Sequence, residues 1–289
     1  MATTARVKVP WHLAIPFLAV VILFWAVPLS GSFRMSLQSN GFGSETWVGL
    51  TNYQALFSDA RYGKALLNTS LIAAGTILII LPFGMLIAHL LNKASGWIRH
   101  TVSFGLLLPA LTPPLILALL FVQIFSGDHG ILNTLLGLVG IKSIDWLKDA
   151  THIKQALLIQ ATWRWTGFIT LFLLAGLRSI PSVYYDAARA EGANVWQTFY
   201  RVTLPLMKNV LLFLGLFLLL DAFVLFEGAY YLLGASGGTS DAGLLLVAYT
   251  YDTGFKQGAF GTAAAMSFLI VPVLAAIIFA VTQKWRRVT

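Results

Sequence analysis

No cysteine occurs in the 289 residues, so disulfides and thiolate metal sites are excluded. Charge is sparse as well: Asp, Glu, Lys and Arg make up 10% of the chain, where a soluble domain carries about 25%. Acids are the scarcer sign, 11 against 19 bases, for a net charge of +8. The five histidines, at positions 12, 89, 100, 129 and 152, are scattered and form no His-Glu-x-x-His helix. A membrane enzyme is therefore the weakest reading, and no metal or cofactor is expected to be bound by this chain. No Gly-x4-Gly-Lys-Ser/Thr phosphate loop is present either, so the chain carries no ATP-hydrolysing motif of its own.

What is abundant is apolar. Hydrophobic residues make up 58% and the mean hydropathy is +0.80, which places the chain in the membrane. Six stretches reach the roughly 20 residues that a helix needs to cross a hydrocarbon core: 11–29, 66–91, 101–125, 156–177, 210–233 and 261–281. Helices satisfy their own backbone polar groups in lipid, so the expected fold is an all-α polytopic bundle of six transmembrane helices, read as one domain over 1–289. The first stretch follows Arg6 and Lys8; its length and the lack of an Ala-x-Ala-like site favour a retained anchor over a cleaved signal peptide.

Orientation follows from the bases, because short cytoplasmic loops retain Lys and Arg. An even number of spans puts both termini on one side. With them fall Arg6, Lys8, Lys93, Arg99, Arg178, Arg189, Arg201, Lys208, Lys284, Arg286 and Arg287, against only Asp186 and Glu191. That side is expected to be cytoplasmic. The positives are divided among several short loops, which suits anionic lipid and not nucleic acid.

Between the first two spans, Ser30 to Ala65 forms an external connector with interfacial aromatics at Trp47 and Tyr53. Asn92 to His100 makes a short turn with Gly96 as its breaker, so the second and third spans are expected to lie as an antiparallel pair. Pro109, Pro113 and Pro114 interrupt the third span and predict a kink or partial unwinding. Ile131 to Ile141 is apolar but too short to span, and is expected on the membrane surface or against the bundle. Asn68-Thr69-Ser70 fits a glycosylation acceptor by pattern, but its place at a span entrance argues against modification.

The most informative segment is the charged island 178–208. It reads Asp186-Ala187-Ala188, three residues, Gly192, nine residues, Val202, one residue, Leu204-Pro205. Val183 to Glu191 and Asn194 to Arg201 are compatible with short helices about Gly192, which permits the positive φ of a tight turn; Pro205 suits the first turn of the following helix. The bland alternative is a solvated amphipathic loop. The spacing resembles the Glu-Ala-Ala, Gly, Ile, Leu-Pro loop of ATP-binding-cassette (ABC) importer permeases, with Asp for Glu and Val for Ile. That resemblance implies a type I importer permease (MetI-like) fold, in which 178–208 is a cytoplasmic coupling loop. It further implies that Asp186, Ala187, Ala188, Glu191, Gly192, Leu204 and Pro205 transmit force from a separate ATPase. The implied partners are a second homologous permease, an ATPase homodimer using ATP and Mg, and an extracytoplasmic solute-binding protein, at a bacterial inner membrane.

On the substrate side, Val48-Gly49-Leu50, Asn52-Tyr53 and Asn68-Thr69 are followed later by Phe226-Glu227, Gly237-Gly238-Thr239 and Tyr249-Thr250-Tyr251. This order is similar to carbohydrate importer permeases of the maltose and glycerol-phosphate type, with Glu227 in place of Asp and Thr239 in place of Pro. The resemblance implies a sugar-like substrate. Asp221 stands inside a span, where a charge costs about 2.5–3.5 kcal/mol unless it faces something polar; Arg164 and Glu227 pose the same problem, and pairing is open to them. Sugars need hydrogen-bonding groups beside aromatic faces, so the path residues expected are Gln123, Trp163, Arg164, Asp221, Glu227 and Tyr230, with Trp165 and Tyr231 as further aromatics. Packing alone accounts for each aromatic taken singly. The competing class is a secondary transporter or channel driven by an ion gradient, supported by the broken third span and the buried acids, but it leaves the 186–205 spacing unexplained.

Overall fold

The structure is a computed structural model that describes residues 14–39, 46–127 and 129–286. Arg6, Lys8, His12, Arg287 and the first residues of the stretch from Trp11 lie outside the described residues. Helices dominate, and among the described residues the only strand-like feature is an isolated bridge between Gln38 and Trp47. Four helices are long and apolar enough to cross a membrane, or up to six if each of two bent pairs counts as one span. The chain is thus a multi-pass membrane protein. It divides into two compact units, residues 60–249 and the described residues up to 59 with those from 250 onward.

The smaller unit contains α1 (Ile15–Ser36), α2 (Thr51–Ser58) and, after the others in chain order, the long C-terminal helix Phe260–Arg286. Buried Asn52 donates from Nδ2 to the Ser36 and Gln38 carbonyls, both at 2.8 Å, and the Tyr53 and Ser36 hydroxyls bond at 2.7 Å. Tyr53, expected as an interfacial aromatic, thus also ties the connector to α1. Phe33 meets Phe268 edge-on at 5.3 Å.

The larger unit is built on α3 (Ala60–Lys93), α4 (Gly96–Leu111), α5 (Pro114–Ile124), α6 (Ile131–Leu138) and α7 (Ile153–Ser179). α3 buries Ala65, Thr69, Ile72, Ala73, Thr76, Ile80, Gly84, Ala88 and Leu91, the three-and-four spacing of a single face. That face meets α7 through Ile169, Leu173 and Leu177. Lipid is as apolar as leucine, so close fit rather than water exclusion holds such helices together. A Cβ placed on Gly84 would stand 3.2 Å from Ile169 Cγ2 and 3.4 Å from Thr170 Oγ1. Gly167 is tighter still, since a Cβ there would overlap the Leu106 carbonyl of α4. The second and third spans are therefore not a close pair; α3 and α4 both pack chiefly on α7.

The proline-rich span is broken outright. α4 and α5 meet at 97°, more than a kink. Each residue before a proline is pushed out of the α region, and Thr112 and Pro113, before Pro113 and Pro114, have ψ of 130° and 135°. Pro114 then opens α5, where a missing N–H costs little. The turn before α4 differs in detail from expectation: the break falls at Ala94–Ser95, Gly96 is already helical, and Arg99 closes the end of α3 by donating to the Leu91 and Ala94 carbonyls at 3.0 and 2.7 Å.

The chain continues through α8 (Ser182–Ala190), α9 (Val195–Leu206), α10 (Lys208–Val224), α11 (Glu227–Leu233) and α12 (Leu246–Tyr251). The apolar run 210–233 is interrupted at Leu225–Phe226, which leave helical geometry. No proline or glycine stands at 222–227, so local propensity does not place this break. Gly167→Val is expected to destabilise the protein by about 1–3 kcal/mol through overpacking, read as a lower melting temperature in detergent. Gly63→Ala, in a helix with open space around it, is the control and is expected to gain about 0.5–1 kcal/mol.

Candidate functional site

Two places in the larger unit gather the residues expected to act. The first is the turn between α8 and α9. α7 ends at Ser179 because Ile180 precedes Pro181 and is extended, with ψ of 120°. α8 runs to Ala190 and closes with Gly192 at φ +76°. The Gly192 N–H donates to the Arg189 carbonyl at 3.0 Å and the Ala193 N–H to the Ala188 carbonyl at 2.9 Å. This paired arrangement is a Schellman closure with glycine at the left-handed position. Nothing lies within 4 Å of a Cβ built on Gly192, so glycine is favoured there by its backbone angle and not by crowding.

α9 begins immediately with a capping box. Asn194 Oδ1 accepts from the Gln197 N–H, and Gln197 Oε1 accepts from the Asn194 N–H, both at 2.9 Å, which satisfies two of the helix's orphan donors. The pattern Asn-x-x-Gln was open to a reading of the sequence but went unused. The Tyr185 and Thr203 hydroxyls, 3.3 Å apart, link α8 back to α9. The product is a stiff two-helix knuckle.

Its expected residues divide. Asp186 pairs with Arg189 one turn on, with both side chains largely exposed, a pair worth little to stability. Glu191 and Ala187 are exposed, whereas Ala188 is turned inward at 8% exposure. Of the three alanines of α8 at 187, 188 and 190, the first and third are exposed. Leu204 and Pro205 lie near the end of α9, ahead of a 69° bend into α10. Pro205 therefore belongs to the knuckle and not to the first turn of the span.

The second place is a small cavity beside the break at Leu225–Phe226. Leu117, Gln160, Ala161, Arg164, Trp165, Asp221, Leu225 and Gly228 line about 10 Å³, the room of a single water. Trp165 Nε1 donates to Asp221 Oδ2 at 2.7 Å, and the Arg164 guanidinium lies 4.9 Å from the Trp165 ring centroid, a cation–π distance. Gln160 is 3% exposed, yet its Nε2 has no protein partner, and neither has Arg164 Nε. A buried donor without an acceptor costs about 1–3 kcal/mol, so this cavity is built for a polar guest. Gly228 leaves the space: a Cβ there would stand 3.0 Å from Gln160 Oε1.

Arg164 and Asp221 thus come together, as the cost of burying each alone requires. Gln123, Glu227 and Tyr230 do not line this cavity: Gln123 and Glu227 are exposed, and Tyr230 packs against Phe226 at 4.9 Å. Trp163 meets Phe121 edge-on at 5.6 Å and lines a different, almost wholly apolar groove of about 840 Å³ between α3, α4 and α7. Gln160 and Gly228 were missed in the sequence. Gln160 stands four residues before Arg164 in an apolar span, a spacing that puts both on one face.

Asn68 and Thr69 have a definite task. Asn68 Nδ2 donates to the Asp241 and Leu244 carbonyls at 3.0 and 3.1 Å, and Thr69 Oγ1 accepts from the Leu246 N–H at 3.0 Å. Arg61 grips the Asp241 carboxylate with two bonds of 3.0 and 2.7 Å. The Gly237–Gly238 loop is thereby fastened to α3, with Gly237, Gly238, Ser240 and Asp241 all at positive φ.

A sequence profile described as "Binding-protein-dependent transport system inner membrane component" matches residues 80–287. Similar proteins include the arabinooligosaccharides transport system permease protein AraP of Halalkalibacterium halodurans, 33% identical over 96% of this chain and 87% of that one. The lactose transport system permease protein LacF of Rhizobium radiobacter is 30% identical over 96% and 97%. The trehalose/maltose transport system permease protein MalF of Thermococcus litoralis is 30% identical over 91% and 88%. Among solved structures, a bacterial ABC transporter involved in the import of the acidic polysaccharide alginate matches in fold with a TM-score of 0.84 at 23% identity, over 96% of this chain and 95% of that one.

Trp165→Phe removes the only side-chain donor that reaches Asp221 among the described residues, and is expected to cost about 1–3 kcal/mol, measured as a fall in melting temperature. Adding Asp221→Leu is expected to recover only part of the loss, because it removes the unanswered carboxylate but leaves the Arg164 guanidinium without it. An unchanged midpoint in Trp165→Phe would deny that bond its weight.

Proposed function

The chain belongs to the family of binding-protein-dependent transport system inner membrane components, and on that premise we propose that it is the sugar-conducting permease subunit of an ATP-driven importer in a bacterial inner membrane. Its termini and the α8–α9 knuckle face the cytoplasm in this reading, which rests on the placement of Lys and Arg. Its partners are a second permease of the same family, two ATPase subunits that bind ATP and Mg, and an external solute-binding protein. A carbohydrate or sugar derivative as substrate is supported by three relatives whose names specify arabinooligosaccharides, lactose and trehalose/maltose.

The observation that carries the coupling role is the knuckle itself. A Schellman turn at Gly192 runs straight into a capping box at Asn194, so force applied to α8 reaches α9 without being lost in a slack loop. α9 then joins α10 through Met207 alone, and Met207 is buried against the α3–α7–α10 core. Closure of the ATPase pair on ATP displaces the knuckle, α9 carries the displacement to α10, and the bundle opens outward; hydrolysis resets it. Within the bundle, Gln160 and Arg164 offer donors, Asp221 an acceptor and Trp165 a ring, the mixture that sugar hydroxyls and C–H faces require. The small cavity is the polar point along that path, opening as α10 moves.

Gly192→Val forces a β-branched residue to φ +76° and should cost about 1–2 kcal/mol at the turn while leaving insertion and assembly intact. Substrate-stimulated ATP hydrolysis by the reconstituted complex is expected to fall to the basal level. Gly192→Asn, which tolerates the left-handed region, is expected to retain most of the coupling. Normal stimulation in Gly192→Val would reject the knuckle as the coupling element.

A further inference from the structure

α9 carries a second surface that the coupling role does not use. Val195, Trp196, Tyr200 and Leu206 are 75, 70, 59 and 45% exposed, a concentration of apolar surface on a helix of only twelve residues. The Trp196 and Tyr200 rings stack at 6.3 Å and 23°, and the capping box holds the turn that presents them. Arg201 is exposed beside Tyr200, and Lys208 opens the next helix.

The geometry of the bend identifies what covers this surface. α10 is the longer, more apolar half of the bent pair, and Phe213, Leu220 and Val224 on it are 54, 41 and 71% exposed. A span tilts by about 20° on average, so a 69° bend leaves α9 within about 40° of the membrane plane. Only Met207 separates the two helices, so where α10 crosses the membrane, the C-terminal end of α9 starts at its surface, next to the exposed apolar side of α10. Trp and Tyr with an adjoining cation are the composition of a helix in the headgroup region.

We infer that Trp196 and Tyr200 anchor α9 in the headgroup–acyl boundary of the bilayer, with Arg201 on anionic headgroups, and so fix the height of the knuckle above the membrane. The occupant is the lipid surface and not the ATPase. This inference rests on the membrane-spanning reading of α10 alone and stands apart from the coupling role of α8.

The absence of cysteine makes the test direct. Trp196→Cys and Tyr200→Cys, each keeping the other aromatic, are nitroxide-labelled in the full-length chain in nanodiscs containing anionic phospholipid. Val183→Cys on α8, exposed at 62%, serves as the aqueous reference. Collision with oxygen relative to a water-soluble nickel chelate is expected to be about threefold higher at 196 and 200 than at 183, as for residues within an interface. The ratio at 196 and 200 is expected to be unchanged when the ATPase subunits are added. A ratio equal to that at 183 overturns the anchor. Shielding at 196 and 200 that arises only with the ATPase also overturns it, and assigns the surface to that partner. Failure of the ATPase to shield position 183 would count against the coupling role while leaving the anchor standing.

Discussion

Hydrocarbon offers no hydrogen bonds, so every place where a membrane helix stops must be answered by groups the protein itself supplies. The chain departs from helix inside two of its apolar runs and answers each departure differently. At 112–114 it removes the demand: Pro113 and Pro114 have no N–H to satisfy, and the Thr112 N–H returns to the Leu108 carbonyl at 3.1 Å. At 225–226 the break stands beside polar side chains instead: α7 carries Gln160, Arg164 and Trp165 to the end of α10, where Trp165 donates to Asp221. The polar cluster and the helix break are thus one feature. A buried acid needs donors, and an interrupted span gives those donors room.

That arrangement depends on small residues elsewhere. Gly84 and Gly167 let α7 approach α3 and α4 closely, so α7 becomes the common wall for both and carries its polar face to a fixed depth. Gly176 does the same lower down, where Met207 packs on it with its sulfur and terminal methyl. One helix therefore connects the polar cluster, the core and the bend between α9 and α10.

The sequence reading was strongest where the structure is local. The α8–α9 turn was legible because its determinants, Gly192 and the short amphipathic pieces around it, lie within twenty residues of one another. Even there the Asn194–Gln197 box went unread, and Pro205 was given to the wrong helix, since the bend at Met207 has no sequence mark of its own. Three prolines announced the break at 112–114 but not its 97° extent. The break at 225–226 was invisible because no residue there disfavours helix; packing of α11 against α5 and α7 decides it. Arg164 and Asp221 stood out individually as charges in apolar runs. That they share a cavity while Glu227, Gln123 and Tyr230 do not depends on the rotational phase of α7 against α10, which fifty-odd intervening residues conceal.

The twelve residues of α9, of which Phe199–Thr203 are wound as a π-helical turn, extend at most about 18 Å at the α-helical rise, and that length sets a mechanical ratio. A swing of about ten degrees about Met207 carries the far tip of an 18 Å rod through about 3 Å, while side chains beside the pivot scarcely shift. A push at the tip would reach the pivot as torque on α10, beside the Met207 thioether that packs against Gly176.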